Sequence, residues 1–179
     1  MAESKDEVKY MAVHLRELKK QDASFMLEWM QDRDIIRYLD GNFKDISKED
    51  CEKFIFASAY KISRRDFAVA DENDEYMGFV ALKDIDDDEK SAEISIVLRR
   101  KMQGKGAAKD ALKQLIRVGF YGMRLNVLYC YTKIENNKAM HLFERLGFIR
   151  DDGLYNDNRD YRFILKREDN NGNSNASKN

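Results

Sequence analysis

The stretch that most narrows the fold lies at residues 91–123. "SAEISIVL" (91–98) alternates Ala92, Ile94, Ile96 and Leu98 with Glu93, Ser95 and Val97. This is the period-two pattern of a strand with one apolar face and one face that presents a carboxylate and a hydroxyl. A few residues later, "QGKGAAKDAL" places two of only 9 glycines, in a chain without proline, at the mouth of a helix. From Gly104 to about Met123 the period is helical, with Ala108, Ala111, Leu112, Leu115 and Gly119 on one stripe against Lys109, Lys113 and Arg117. A strand led through small residues into a helix leaves unpaired N–H donors and the positive end of the helix dipole facing outward. Such a junction is a site for a phosphate.

The rest of the chain supplies a sheet around this unit. "VHLREL" (13–18) alternates as a strand, and Asp22 can cap a helix through "ASFMLEWM" that places Phe25, Met26 and Trp29 on one face. A short helical stretch at 34–39 follows, and Ser47 with Asp50 has the form of a capping box. The runs 66–71 and 76–85 flank the turn "ENDE" as a hairpin. "LNVLYCYTKI" (125–134) is apolar on both faces, which predicts a central strand. Ala139, Met140, Phe143 and Leu146 mark a helix closed by Gly147, and "DYRFILKR" (160–167) is a last strand. The expectation is an α/β (α+β) fold, a mixed and mostly antiparallel sheet flanked by helices. One domain is expected over 11–167, between a tail at 1–10 and a polar, disordered tail at 168–179.

Composition excludes several classes. The 32 basic and 33 acidic residues nearly cancel, so there is no surplus to drive nucleic-acid binding. The apolar runs are too short to span a membrane, and the charged N-terminus lacks a signal-peptide core, so a cytoplasmic protein is expected. Cys51 and Cys130 sit among apolar residues and are expected to be reduced and buried. His14 and His141 have no companions at ligand spacing, and no metal is expected.

Three phosphate loops compete for the glycine stretch. The P-loop pattern GxxxxGK[ST] is absent. The dinucleotide loop GxGxxG finds Gly104 and Gly106, but Lys109 where its third glycine belongs. The third pattern, Q-x-x-G-x-A, is met by Gln103, Gly106 and Ala108. With the strand before it and the later Asn136, Ala139 and Gly147-Phe148, it resembles the GNAT superfamily of acetyl-CoA-dependent N-acetyltransferases, with an opening similar to the branch acting on ribosomal proteins, polyamines and amino sugars.

The resemblance implies a twisted sheet with splayed central strands and acetyl-CoA as cosubstrate. The CoA pyrophosphate would lie on the N–H groups of Gln103, Gly104, Lys105, Gly106, Ala107 and Ala108. The pantetheine arm would run along Ile96, Val97 and Leu98, with Asn136 and Phe143 beside it. Lys105 and Arg145 could meet the 3′-phosphate end. Arg100 stands where relatives usually carry a proline, and Arg99 and Arg100 would add positive charge near the phosphates.

For catalysis, an alkyl amine with a pKa of about 10.4 must be made neutral near pH 7. Glu93, on the polar face of the cofactor strand, is the candidate base. A backbone N–H of Val97 or Leu98 would polarise the thioester carbonyl. Many relatives carry a thiolate-protonating tyrosine at the position of Phe143, which has no proton to give. Either another hydroxyl substitutes, with Tyr131 beside Tyr129 as the candidate, or the thiolate leaves with help from water. Trp29, Tyr38, Asp66 and Tyr155 are the expected walls of the acceptor site. The acceptor expected is a small-molecule amine, an amino sugar first. The alternatives are a peptide α-amine or a non-catalytic acetyl-CoA-binding domain, in a monomer or homodimer.

Overall fold

Seven strands form one sheet in the order β1-β2-β3-β4-β5-β7-β6 in the computed structural model, which describes residues 11–168. The tails at 1–10 and 168–179 therefore lie outside the described residues, apart from Glu168. The strands are β1 (His14–Arg16), β2 (Arg65–Ala70), β3 (Tyr76–Asp86), β4 (Ser91–Leu98), β5 (Val127–Lys133), β6 (Ile149–Tyr155) and β7 (Asp160–Lys166). All neighbours are antiparallel except β4 and β5. The helices are α1 (Ala23–Met30), α2 (Arg33–Ile36), α3 (Lys48–Ser58), α4 (Ala107–Arg117) and α5 (Asn137–Arg145).

Alternation along β4 feeds two cores, one on each side of the sheet. Ala92, Ile94 and Leu98 pack with Ala111, Leu112 and Leu115 of α4 and with Phe143 of α5. Val97 points the other way and joins Phe79 and Ala81 of β3, Met26 and Trp29 of α1, and Cys51 and Ile55 of α3. Leu112 and Leu115 are fully buried, each contributing roughly 1.5–3 kcal/mol through loss of apolar surface. Gly78 of β3 faces Leu98, and a Cβ there would stand 2.3 Å from the Val97 carbonyl oxygen. Only glycine lets β3 lie this close to the end of β4.

Four local expectations change. Asp22 does not cap α1; its carboxylate accepts from the Lys19 N–H at 2.8 Å and from Arg16 at 2.7 Å, closing the 3-10 turn Lys20–Asp22. The helix expected from Gly104 begins at Ala107, because Gly104 and Gly106 both adopt φ 79°; it runs on as a π turn over Val118–Gly122. β5 is central, but only Leu128, Cys130 and Thr132 are buried, while Tyr129 and Tyr131 on its other face are half-exposed. Strand β6 escaped the reading: "IRDDGLY" lacks alternation because this edge strand is exposed and bulged against β7. The Ser47–Asp50 capping box forms as expected.

Candidate active site

The site begins where the sheet comes apart. β4 and β5 pair only at Ser91–Val127, Ala92–Leu128 and Glu93–Tyr129. Beyond Glu93, β4 follows β3 as far as Leu98, while β5 follows β7 as far as Lys133. The wedge between them opens into a cleft of about 1390 Å³. Its inner edges are strand backbone with no strand opposite, which offers main-chain donors and acceptors to an extended ligand.

One half of the cleft is lined by Ile96, Val97 and Leu98, by Gln103, Gly104, Gly106 and Ala108, and by Asn136 and Phe143. The φ of 79° at both glycines is left-handed backbone that other L-residues enter only under strain. Gly104 has no atom within 4 Å of a would-be Cβ, so it is chosen for its backbone conformation and opens onto free space. The N–H groups of Gly104, Lys105 and Gly106 have no partner among the described residues. Gly106 is also the N-cap of α4 and has no side chain to cap it. This cradle of N–H groups at a helix start fits a pyrophosphate, and the wedge above it fits a pantetheine arm with its two amides.

The side chains of three expected cofactor residues lie outside the lining, which leaves the expectation for the Lys105 and Ala107 N–H groups untouched. Ala107 is fully buried against the core, and Arg145 is exposed on the last turn of α5. Lys105 is exposed outside the lining, with its carbonyl accepting from the Met11 N–H at 3.5 Å. Asn136 lines the cleft, but its side-chain oxygen caps α5 by accepting from the Ala139 N–H at 3.2 Å. Arg99 and Arg100 do not reach the loop with free charge. Arg99 is buried on Glu28 and Glu75, and Arg100 forks onto Asp32 and Asp34.

The other half is built from side chains. Trp29 lines it while its indole N–H donates to Tyr76 Oη at 3.2 Å, and its ring meets Phe43 edge-on at 6.1 Å. Tyr38 lines it under the Arg37 guanidinium, 4.5 Å from the ring centroid. Asp66 does not reach the cleft; Arg64 takes its carboxylate at 2.6 Å, and burial pushes that carboxyl up against the pull of Arg64. Tyr155 also stands behind the wall, donating to Asp151 at 2.8 Å and packing 5.5 Å from the Tyr131 ring.

The chemical groups meet in the middle. Glu93 lines the cleft and is ion-paired with Lys83 at 2.6 Å. Tyr131 lines it between Tyr129 and Tyr155. Cys130 lines it too, but burial pushes its thiol well above the usual range, so it is no thiolate nucleophile. Thr132, missed in the sequence, is buried in the lining with a hydroxyl that has no partner among the described residues. Lys83 was within reach of sequence reasoning, since the register of the β3–β4 hairpin sets it opposite Glu93. Phe43, Arg64 and Asn156 carry no such signal, because loops and distant strands bring them in. No group of three His, Cys, Asp or Glu side chains among the described residues is placed to hold a metal ion, and no described helix is long and apolar enough to cross a membrane.

A splayed sheet with a phosphate cradle at its mouth defines an acyl-CoA-dependent transferase. The acetyltransferase (GNAT) domain family matches residues 12–149, and the chain belongs to that family. The spermidine N(1)-acetyltransferase of Vibrio cholerae serotype O1 is 29% identical over 142 residues, covering 78% of this chain and 80% of that one. The Escherichia coli K12 spermidine N(1)-acetyltransferase is 30% identical over 143 residues, covering 76% and 73%. Among solved structures, the Vibrio cholerae spermidine N-acetyltransferase in complex with CoA and spermine superposes with a TM-score of 0.78 at 26% identity, covering 86% of this chain and 95% of that one. The chain is thus an acetyl-CoA-dependent N-acetyltransferase acting on amines.

Proposed function

We propose that the acceptor is a primary amine of a linear polyamine, acetylated by direct transfer within a ternary complex. The observation that carries this is the setting of Asp34, Asp40 and Glu93 among Trp29, Tyr38 and Phe43 in the acceptor half. All three carboxylates already hold a cation of the chain, Lys83 on Glu93 at 2.6 Å, Lys133 on Asp40 at 2.7 Å and Arg100 on Asp34 at 2.8 Å, so a ligand ammonium would take the place of one of these. The same carboxylates and aromatic faces suit an alkylammonium chain. The spermidine acetyltransferases among its relatives point the same way. The amino sugar expected from the sequence is the second reading, favoured by Arg37, Arg64 and Lys83 in the same half, which suit an anionic substituent.

Acetyl-CoA supplies an activated thioester. In this reading the Glu93 carboxylate, directly or through water, takes a proton from the amine, so that the neutral nitrogen can attack. On the same reading a backbone N–H on the inner edge of β4 meets the carbonyl oxygen, where negative charge develops. Alternation favours Leu98, because the Arg99 N–H bonds Met77 of β3 and that of Val97, two residues back, faces β3 as well. Phe143 packs 5.2 Å from the Phe148 ring and gives no proton, so Tyr131 is the hydroxyl that assists the departing thiolate. The high pKa of Cys130 supports direct transfer over an acetyl-cysteine relay. The test is thiol release from acetyl-CoA over a panel of spermidine, spermine, amino sugars and an N-terminal peptide. Turnover with the polyamines alone supports the proposal. Turnover confined to amino sugars or peptide overturns it, as does acetyl-CoA binding with no turnover of any polyamine.

A further inference from the structure

The two halves of the cleft are built from parts of the chain about seventy residues apart, yet one side chain holds both. Arg100 opens the 3-10 turn Arg100–Met102 that leads into the glycine loop. Its Nε donates to Asp32 Oδ2 at 2.9 Å and its Nη2 to Asp32 Oδ1 at 2.6 Å, a two-pronged fork. Nη2 also donates to Asp34 Oδ2 at 2.8 Å. Asp32 is the N-cap of α2 and accepts from the Asp34 N–H at 3.0 Å. That helix leads into Tyr38 and the acceptor wall. Arg100 thus ties the first residue of the loop turn to the first turn of the acceptor helix.

Its neighbour anchors the same junction from inside. Arg99 is 6% exposed. It forks onto Glu28 of α1 at 3.1 and 2.6 Å, donates to Glu75 and to the Tyr76 carbonyl at 2.9 Å each, and lies 4.4 Å over the Phe25 ring. With Arg99 fixed, the chain direction at Arg100 is set, and the exposed fork is the adjustable part.

We propose that Arg100 is a positioning residue that couples the acceptor wall to the acetyl-CoA loop, so that each ligand's binding favours the other's. The proposal rests on the acceptor half being the amine site. Linkage requires the effect to be mutual. The fork also takes over what a proline would do at this point, holding the exit of β4, and adds a tie to α2 that a proline cannot make.

Three variants separate these roles. Arg100→Ala removes the fork. Asp32→Asn removes the charge pair but keeps the cap, since asparagine caps as well as aspartate. Arg100→Pro restores a rigid exit without the tie: Arg99 already has φ −56° and ψ 148°, which the residue before a proline favours, and the first position of a helical turn tolerates proline. Arg100→Ala should weaken acetyl-CoA binding by titration and raise the amine KM, each about fivefold, the low end of site-to-site couplings. Asp32→Asn should act alike and should not add to it in the double variant. Arg100→Pro should recover acetyl-CoA affinity while the amine KM stays raised. The fork is exposed and contributes little to stability, so the melting temperature should hold. An Arg100→Ala protein whose acetyl-CoA affinity stays within twofold of the wild type overturns the proposal, as does recovery of both affinities by proline. The titration needs no acceptor, so it reads the loop side of the tie even if no amine in the panel is turned over and the proposed acceptor is wrong.

Discussion

The proposed donor and acceptor halves of the cleft are made from different materials. The donor half is main chain: two glycines at φ 79° and the inner edge of a strand with no strand opposite it. The acceptor half is side chain: Trp29 on α1, Tyr38 after α2, Phe43 in the loop beyond, and Glu93 on β4. Backbone recognises amides and phosphates, which every acyl-CoA carries, whereas side chains can be exchanged one at a time without disturbing the sheet. The donor half therefore keeps one ligand, and the acceptor half is free to change its own.

Substitutions on either side test this division. The largest effect is expected from Glu93→Gln, in the centre. It should lower kcat with the best amine by about 100-fold, within the range for losing a general base. Its kcat should also rise more steeply with pH than the wild type's, because the amine must then lose its proton unaided; an unchanged pH profile removes Glu93 as base. Gly106→Val comes next. A β-branched residue forced to φ 79° should weaken acetyl-CoA binding about 50-fold, measured by calorimetry, with amine affinity affected only through the cofactor. Equal losses on both sides would break the division into halves. Tyr131→Phe should cost about tenfold in kcat with acetyl-CoA affinity intact, as expected for one hydrogen bond to a developing charge; full activity would free Tyr131 of its role.

The smallest effect concerns stability behind the acceptor wall. Arg162 and Tyr155 hold the Asp151 carboxyl down to about 2 from an ordinary 3.8. Because the folded pKa is lowered, this support is complete above about 3.8 and is lost as pH falls towards about 2. Asp151→Asn should flatten the acid-unfolding curve in that window, lowering stability slightly at neutral pH, where the pairing is complete, and leaving it nearly unchanged near pH 2. A curve that keeps its wild-type slope would show the pairing contributes nothing.

The same division explains what could be read from the sequence. A left-handed backbone demands glycine, and a strand face demands alternation, so Gly104, Gly106 and Ile96 to Leu98 stand out locally. Asp66 and Tyr155 stand outside the lining because near neighbours take their polar groups, Arg64 two residues before Asp66 and Asp151 four before Tyr155, pairings that alternation alone does not reveal. Arg99 and Arg100 read as positive charge near the phosphates because a charge without its partner looks free. Glu28, Glu75 and Asp32 lie about 24 to 71 residues away along the chain, and only the tertiary fold pairs them. Strand β6 was hidden for a related reason, since an exposed edge strand has no apolar period to display.

The three-pair contact between β4 and β5 has a consequence for the protein between turnovers. Past Glu93 the two halves of the sheet are held together chiefly by α4, α5 and the side chains packed beneath them. A ligand in the wedge would stitch the two edges as a missing strand does. Amide protons on the facing edges of residues 94–98 and 130–133 should then exchange quickly in the free chain and slowly with acetyl-CoA bound. Local opening at this end of the sheet should in this way fall as acetyl-CoA becomes available.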